Sequence, residues 1–203
     1  MTPDTFKRSG AVALILSGAA LGYSYVSHPH HMSPDIIASP SWAVIHALFA
    51  LSLVLGLMGT IAVYAPGAIR AGGLGLAGIA TLFVGMMMIF GLDYYEVFIA
   101  PYLARHYPQV ILDHGAGDAM GPVAWAFPLA GVLTVLGYAM LGGAWLRAGL
   151  MARPVAIALI LTALAFGVGL SPVGGILTAQ ITAAAFGIAL MAVGASTWRA
   201  TAA

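Results

Sequence analysis

The chain contains no cysteine, and of its 203 residues only 13 are formally charged, seven Lys or Arg and six Asp or Glu. Without cysteine there is no disulfide framework, no Cys-ligated zinc or iron–sulfur centre and no thiol nucleophile. Soluble domains are about one quarter charged, so this chain falls short roughly fourfold, too few charges to clothe a water-facing surface. A net charge of +1 without any basic run offers nothing to neutralise a phosphate backbone, which argues against nucleic-acid binding. What is abundant is apolar, with 62% of residues hydrophobic. These proportions point to an all-α fold, a polytopic membrane helix bundle that forms one integral membrane domain over residues 1–203 with the lipid bilayer as its first partner.

A helix crossing roughly 30 Å of hydrocarbon needs about 20 predominantly apolar residues. Six segments meet that demand, at about 10–26, 42–64, 72–92, 122–146, 154–170 and 175–198. Pro29, Pro34 and Pro40 crowd the first connection, Pro66 the second, and Pro101 and Pro108 the third. Pro154 opens the fifth span, where its missing N–H costs nothing, and Pro128 inside the fourth is expected to kink it. The segments lack the polar–apolar alternation of barrel strands, so six transmembrane helices are expected. Lys7, Arg8, Arg70, Arg147, Arg153 and Arg199 fall on one side of six crossings and only Arg105 on the other. By the positive-inside rule both termini are cytoplasmic and the protein lies in the inner (plasma) membrane. Lys7 and Arg8 ahead of an apolar run, with small residues at 17–20, also resemble a signal peptide, but the segment is expected to remain as an anchor and first span.

Small residues mark expected helix seams: Gly18 and Gly22 in the first span, and Gly72, Gly75, Gly78, Ala77, Thr81 and Gly85 in the third. Trp42, Trp125, Trp145, Trp198, Tyr64, Tyr94 and Tyr95 all lie near span ends, which reads as an aromatic belt. A faint similarity between residues 52–56 and 133–137 carries little weight, since apolar helices align readily by chance.

Sorting the ionisable groups by this topology exposes an asymmetry. Asp35, Asp93, Glu96, Asp113 and Asp118, with all six histidines, fall at or near the extracytoplasmic face, and only Asp4 is cytoplasmic. Spans two and three form a hairpin around a turn at 66–70, which sets His46 roughly level with residues 89–90 at about 1.5 Å per residue. Asp93 and Glu96 then lie within two turns of His46, and being three apart they share a helix face if the helix continues to Pro101. Ionisable groups at such depth usually face the bundle or a cavity. His46, Asp93 and Glu96 are therefore expected to form a site, with His114, Asp113 and the His28–Pro–His30–His31–Met32 run folding over it as a lid. The long connection 93–121 reads as an external cap between helices 3 and 4, with an interfacial stretch at 97–103, a second short helix at 107–112 and a flexible break at 115–118. Against this stand simpler readings: His46 as a hydrogen-bonded packing residue, Asp93 and Glu96 as hydrated carboxylates at a helix end, and Met86, Met87 and Met88 as core filler.

The Trp42-x-x-x-His46 span start, the Glu96-x-Phe-x-x-Pro101 span end and the external His-Pro loop resemble a group of small multi-pass bacterial membrane proteins of uncharacterised function. The resemblance implies six helices and no activity.

The residues themselves support three functional expectations. The first is a transition-metal site for Cu, Zn or Fe, with His46, Asp93, Glu96 and His114 as leading ligands and His28, His30 and His31 as further donors, able to activate water or oxygen beside a lipid-soluble substrate. The second is an accessory or stabilising subunit of a larger membrane complex, or a homo-oligomer, with no chemistry of its own. The third is a b-type haem protein with His46 and an outer histidine such as His114 as axial ligands. A proton-coupled transporter fits less well, because its carboxylates belong near the midplane and the inner parts of these spans are uncharged.

Overall fold

The computed structural model describes residues 2–115, 123–171 and 174–201, apart from the side chains of 114, 115, 123 and 124. Their regular structure is all helical, with no strand among them: α1 Pro3–Val26, α2 Pro34–Ile37, α3 Pro40–Tyr64, α4 Ala68–Phe98, α5 Ala100–His106, α6 Pro108–Gly115, α7 Val123–Ala148, α8 Arg153–Gly169 and α9 Gly175–Ala200. Among the described residues, four stretches are long and apolar enough to cross a membrane: Pro3–Val26, Pro40–His106, Trp125–Ala148 and Gly175–Ala200. The second of these is a 67-residue run that includes α3 and α4, and Arg153–Gly169 is a shorter apolar helix.

Pro34 and Pro40 of the first connection are helix starters as much as breaks, as is Pro3 ahead of α1. In Thr2–Pro3, Ser33–Pro34 and Ser39–Pro40 the hydroxyl accepts a backbone N–H from Thr5, Ile36 and Trp42 respectively, while the proline takes a first-turn position that needs no N–H. Pro154 plays the same part in α8. Between α3 and α4 the chain turns through a short 3-10 segment, Ala65–Gly67. At Gly72 the backbone takes φ 63°, open to glycine at little cost, and breaks the helical path inside α4. Gly72 is therefore a backbone break and no part of the packing strip expected from sequence; a Cβ there would meet nothing within 4 Å. α4 also runs one and a half turns further out than expected, and Pro128 sits inside an α7 that continues through it.

The six long helices close a ring. α1 packs on α3, α3 on α4, α4 on α7, α7 on α8, α8 on α9, and α9 back on α1. Small residues make two of these seams. A Cβ at Gly18 would run into the Gly187 carbonyl across the α1–α9 seam, and one at Gly85 would run into Thr134 across α4–α7. Aromatic side chains plug the axis: Phe166 stacks on Phe186 at 5.6 Å, with Tyr138 and Tyr25 edge-on to them. Trp145 and Trp42 are 2% exposed and Tyr64 is buried, so these three belong to the interior and not to the belt; Trp125, Trp198 and Tyr94 do face outward. At one end α2, α5 and α6 pack over the bundle around Ile37, Trp42, Ala100 and Ala104, and Arg105 donates to the Ala38 carbonyl at 2.7 Å.

Gly18→Val should lower stability by about 1–3 kcal/mol through overpacking the α1–α9 seam. Gly73→Ala, whose methyl meets nothing within 4 Å, should leave it unchanged or raise it. Thermal melts of the purified variants check this; equal losses would show that the seam is not closely packed.

Candidate functional site

α3 places Trp42, His46 and Phe49 on one face at helical spacing, and α4 brings Asp93 against it. His46 Nδ1 donates to Asp93 Oδ1 at 2.6 Å, with the two side chains 11% and 3% exposed. This partner is one helical turn further out than the level of residues 89–90 expected from a symmetric hairpin, a register that the 3-10 turn and the break at Gly72 accommodate. With the proton of a neutral imidazole held on Nδ1, Nε2 is left as the acceptor. His46 Nε2, Asp93 Oδ2 and Trp42 Nε1 are buried without hydrogen-bond partners among the described residues. Buried polar atoms are nearly always paired, so three orphans within one cluster mark a place built for something else.

The Trp42 and His46 rings lie 4.5 Å apart. His28, in the strap after α1, packs edge-on to both at 5.2 Å and 5.5 Å. Its Nδ1 donates to the Pro29 carbonyl at 3.0 Å, which again leaves Nε2 free to accept. Burial holds the His28 imidazole below the ordinary histidine pKa, the Pro29 bond opposing this only in part. Gln180 of α9 anchors the strap: its amide donates to the carbonyls of His28 at 3.1 Å and Val26 at 3.4 Å, and its oxygen accepts from His30 Nε2 at 3.3 Å. Trp42, His46, Asp93 and His28 border a cavity of about 580 Å³ at the capped end of the bundle, walled mainly by apolar and aromatic side chains such as Tyr25, Phe49, Ile89, Phe127 and Leu170.

Of the residues expected from sequence, His46 and Asp93 meet directly, and Glu96, His28 and Met32 border the same cavity. His30 is held by Gln180, and His31 is exposed. Asp113 is exposed and accepts from Gln109 at 2.8 Å within α6, so it does not fold over the site. His106 stacks on Tyr102 at 4.3 Å on the outer face of α5. The side chain of His114 and all of Asp118 lie outside the described residues, as does the expected break beyond Gly115. No group of three or more His, Asp or Glu side chains poised to hold a metal ion occurs among the described residues. Sequence reasoning misses Trp42 and Gln180. For Gln180 the signal was present: a carboxamide in the middle of an apolar run, where an unpaired one is costly.

No family model, curated protein or solved structure matches this chain. The functional reading therefore rests on the site itself.

Two predictions follow from this geometry. His46→Leu and Asp93→Leu should each destabilise by about 1–3 kcal/mol by orphaning a buried partner. The double variant should lose less than the sum, with a coupling of about 0.5–3 kcal/mol in thermal or denaturant unfolding; additivity would deny the contact. For His28 the depressed pKa means that the unfolded chain takes the proton first on acidification. Its contribution to stability is thus full above the ordinary histidine pKa, about 6.5, and falls as the pH drops through it. NMR titration of labelled histidines, assigned with His28→Asn, should place its midpoint below that value; a midpoint above it would contradict the burial.

Proposed function

We propose that this chain is a six-pass protein of the inner (plasma) membrane, both termini cytoplasmic, whose outer-end cavity binds a lipid-soluble small molecule with His46 as its hydrogen-bonding and proton-accepting anchor. The observation that carries the reading is the His46–Asp93 bond at the wall of the 580 Å³ cavity. Asp93 orients the imidazole and selects the tautomer that leaves Nε2 as an acceptor, the orienting part an aspartate plays behind a catalytic histidine. A largely apolar cavity of this volume with a few convergent polar groups has the make-up of an organic-ligand site.

The topology is supported by the helices and by the cations. Pro40–His106 turns back at Ala65–Gly67 and supplies two crossings as α3 and α4. α8, with 17 residues, meets the lower limit for a span, about 17. Six of the seven cations then lie at the end opposite the cavity, which supports reading the cavity's end as the extracytoplasmic one.

A second reading, a Cu, Zn or Fe ion, is favoured by one specific feature. His28 and His46 each have Nδ1 bonded to an oxygen, the second-sphere arrangement that presents Nε2 to a metal, and Glu96 borders the same cavity. Both readings use His46 Nε2, so one experiment separates them. Wild type and His46→Gln are excised in polymer nanodiscs without detergent or chelator, and their extracts compared by untargeted mass spectrometry and elemental analysis. The expected result is an organic molecule enriched in wild type and lost in the variant. Stoichiometric metal lost in the variant would move the reading to the metal, a Soret band to haem, and identical extracts would overturn the anchor role of His46.

A further inference from the structure

We infer that the occupant of the cavity is a neutral single-chain amphiphile, an alcohol or phenol whose O–H sits at His46 and Trp42 and whose chain runs inward along the axis of the helix ring. The inference rests on His46 as the anchor of the site and adds the chemical class of what binds there.

The head group is set by the orphaned atoms. Trp42 Nε1 can only donate, and His46 Nε2, with its Nδ1 proton directed at Asp93, can only accept. The two rings are one turn apart on α3 and 4.5 Å between centroids. A hydroxyl donates one hydrogen bond and accepts others, so a single oxygen satisfies both nitrogens. Both are shielded from solvent, and His28 lies edge-on to both rings, so the head group enters by displacing His28.

Charge excludes the alternatives. The described lining residues include Asp93 and Glu96 and no Lys or Arg. A carboxylate or phosphate head would be buried beside these acids with no Lys or Arg among the described lining residues to pair it, its only counter-charge being an imidazole that must first take a proton. An ammonium could face Asp93 Oδ2, but it has no lone pair to offer Trp42 Nε1, and a quaternary ammonium has no donor for His46 Nε2 either.

The direction of the chain follows from what lies beneath. A void of about 30 Å³ on the ring axis shares Tyr25, Phe49, Ile89, Phe127 and Leu170 with the cavity and continues inward to Phe166, Phe186 and Leu190. The hydroxyls of Ser17, Ser52 and Thr134 at its edge are already bound to the carbonyls of Ser52, Phe49 and Ala130 at 2.7–2.9 Å. Apart from these hydroxyls and the phenol groups of Tyr25 and Tyr138, the second of which donates only weakly to Met86 Sδ at 4.0 Å, the void is walled by apolar side chains, and largely apolar voids of this kind take apolar guests. Convergent polar atoms at the outer end and a mainly apolar continuation within describe a head and a tail.

The test uses the full chain in nanodiscs and native mass spectrometry with 1-alkanols from hexanol to tetradecanol, alongside alkanoates and alkyltrimethylammonium ions of matched length. Alkanols should bind roughly tenfold tighter than either charged series, and Trp42→Phe should remove roughly that factor, the worth of one good hydrogen bond. Gly131 borders the void, and only Leu170 comes within 4 Å of a Cβ built on it, at 3.8 Å. Gly131→Leu, a substitution that also favours the helix, should therefore shift the best-bound alcohol to a shorter chain. Charged chains binding as well as alkanols, while still requiring His46, would overturn the class and leave the anchor reading standing. Failure of all three series to show any dependence on His46→Gln would overturn both. An unmoved chain-length optimum in a Gly131→Leu protein of normal melting temperature would overturn the inward course of the chain.

Discussion

Closing six long helices into a ring creates an axis that something must fill, and most of this structure can be understood from how that is met. Where α1 meets α9 and α4 meets α7, glycines allow backbone-to-backbone approach, which tightens the ring without large side chains between the helices. Further in, Tyr25, Tyr138, Phe166 and Phe186 pack edge-on and stacked across the axis and leave only a small void. At the capped end no such plug exists. Tyr25, Phe49 and Phe127 only line its wall, Trp42 is drawn aside against His46 and the α5 cap, and a cavity is what remains. The site is thus the unfilled end of a ring that is otherwise closely packed.

The few charges follow a common rule. Helix ends leave carbonyls without partners, and a cation there is favoured by both hydrogen bonding and the helix dipole. Arg8 donates to the Thr201 carbonyl beyond α9 and lies over the Trp198 ring, Arg70 donates to the Ala148 carbonyl at the end of α7, and Arg105 donates to the Ala38 carbonyl after α2. In a chain with seven cations, three are engaged in closing helix ends. Arg8 also ties the first helix to the last and so reinforces the same α1–α9 contact that the glycines allow.

What was legible in the sequence was whatever depends on spacing along one helix or reflection across one turn. The apolar lengths located the long helices, the small-residue strips at Gly18 and at Gly75, Gly78 and Gly85 marked true seams, and hairpin arithmetic brought His46 to within a turn of Asp93. What was not legible depends on rotation and on distant segments. Proximity to a span end says nothing about whether Trp42 turns toward lipid or toward the interior; that is decided by α5 and α2 packing over it. Gln180 meets the strap from 150 or more residues away, and no local pattern ties the two together. Gly72 shows the same limit, because small residues in a row identify a seam without saying which of them is needed for φ instead of for space.

The histidine–aspartate pair is difficult to explain as a stabilising device. Burying two polar side chains costs what their mutual bond returns, and well-packed apolar residues in their place are often neutral or stabilising. A structural pair would also tend to satisfy itself, as Ser17, Ser52 and Thr134 do on nearby carbonyls. Here the opposite holds: one bond fixes the geometry, and the atoms left over, Nε2 of His46 and Oδ2 of Asp93, are those able to accept a proton or a donor, beside a tryptophan N–H that also lacks a partner. An arrangement that is rigid on its inner side and unsatisfied on its outer side serves stability poorly and recognition well. The surrounding apolar wall strengthens the effect, since in a low-dielectric setting each hydrogen bond to a guest carries more weight than it would in water.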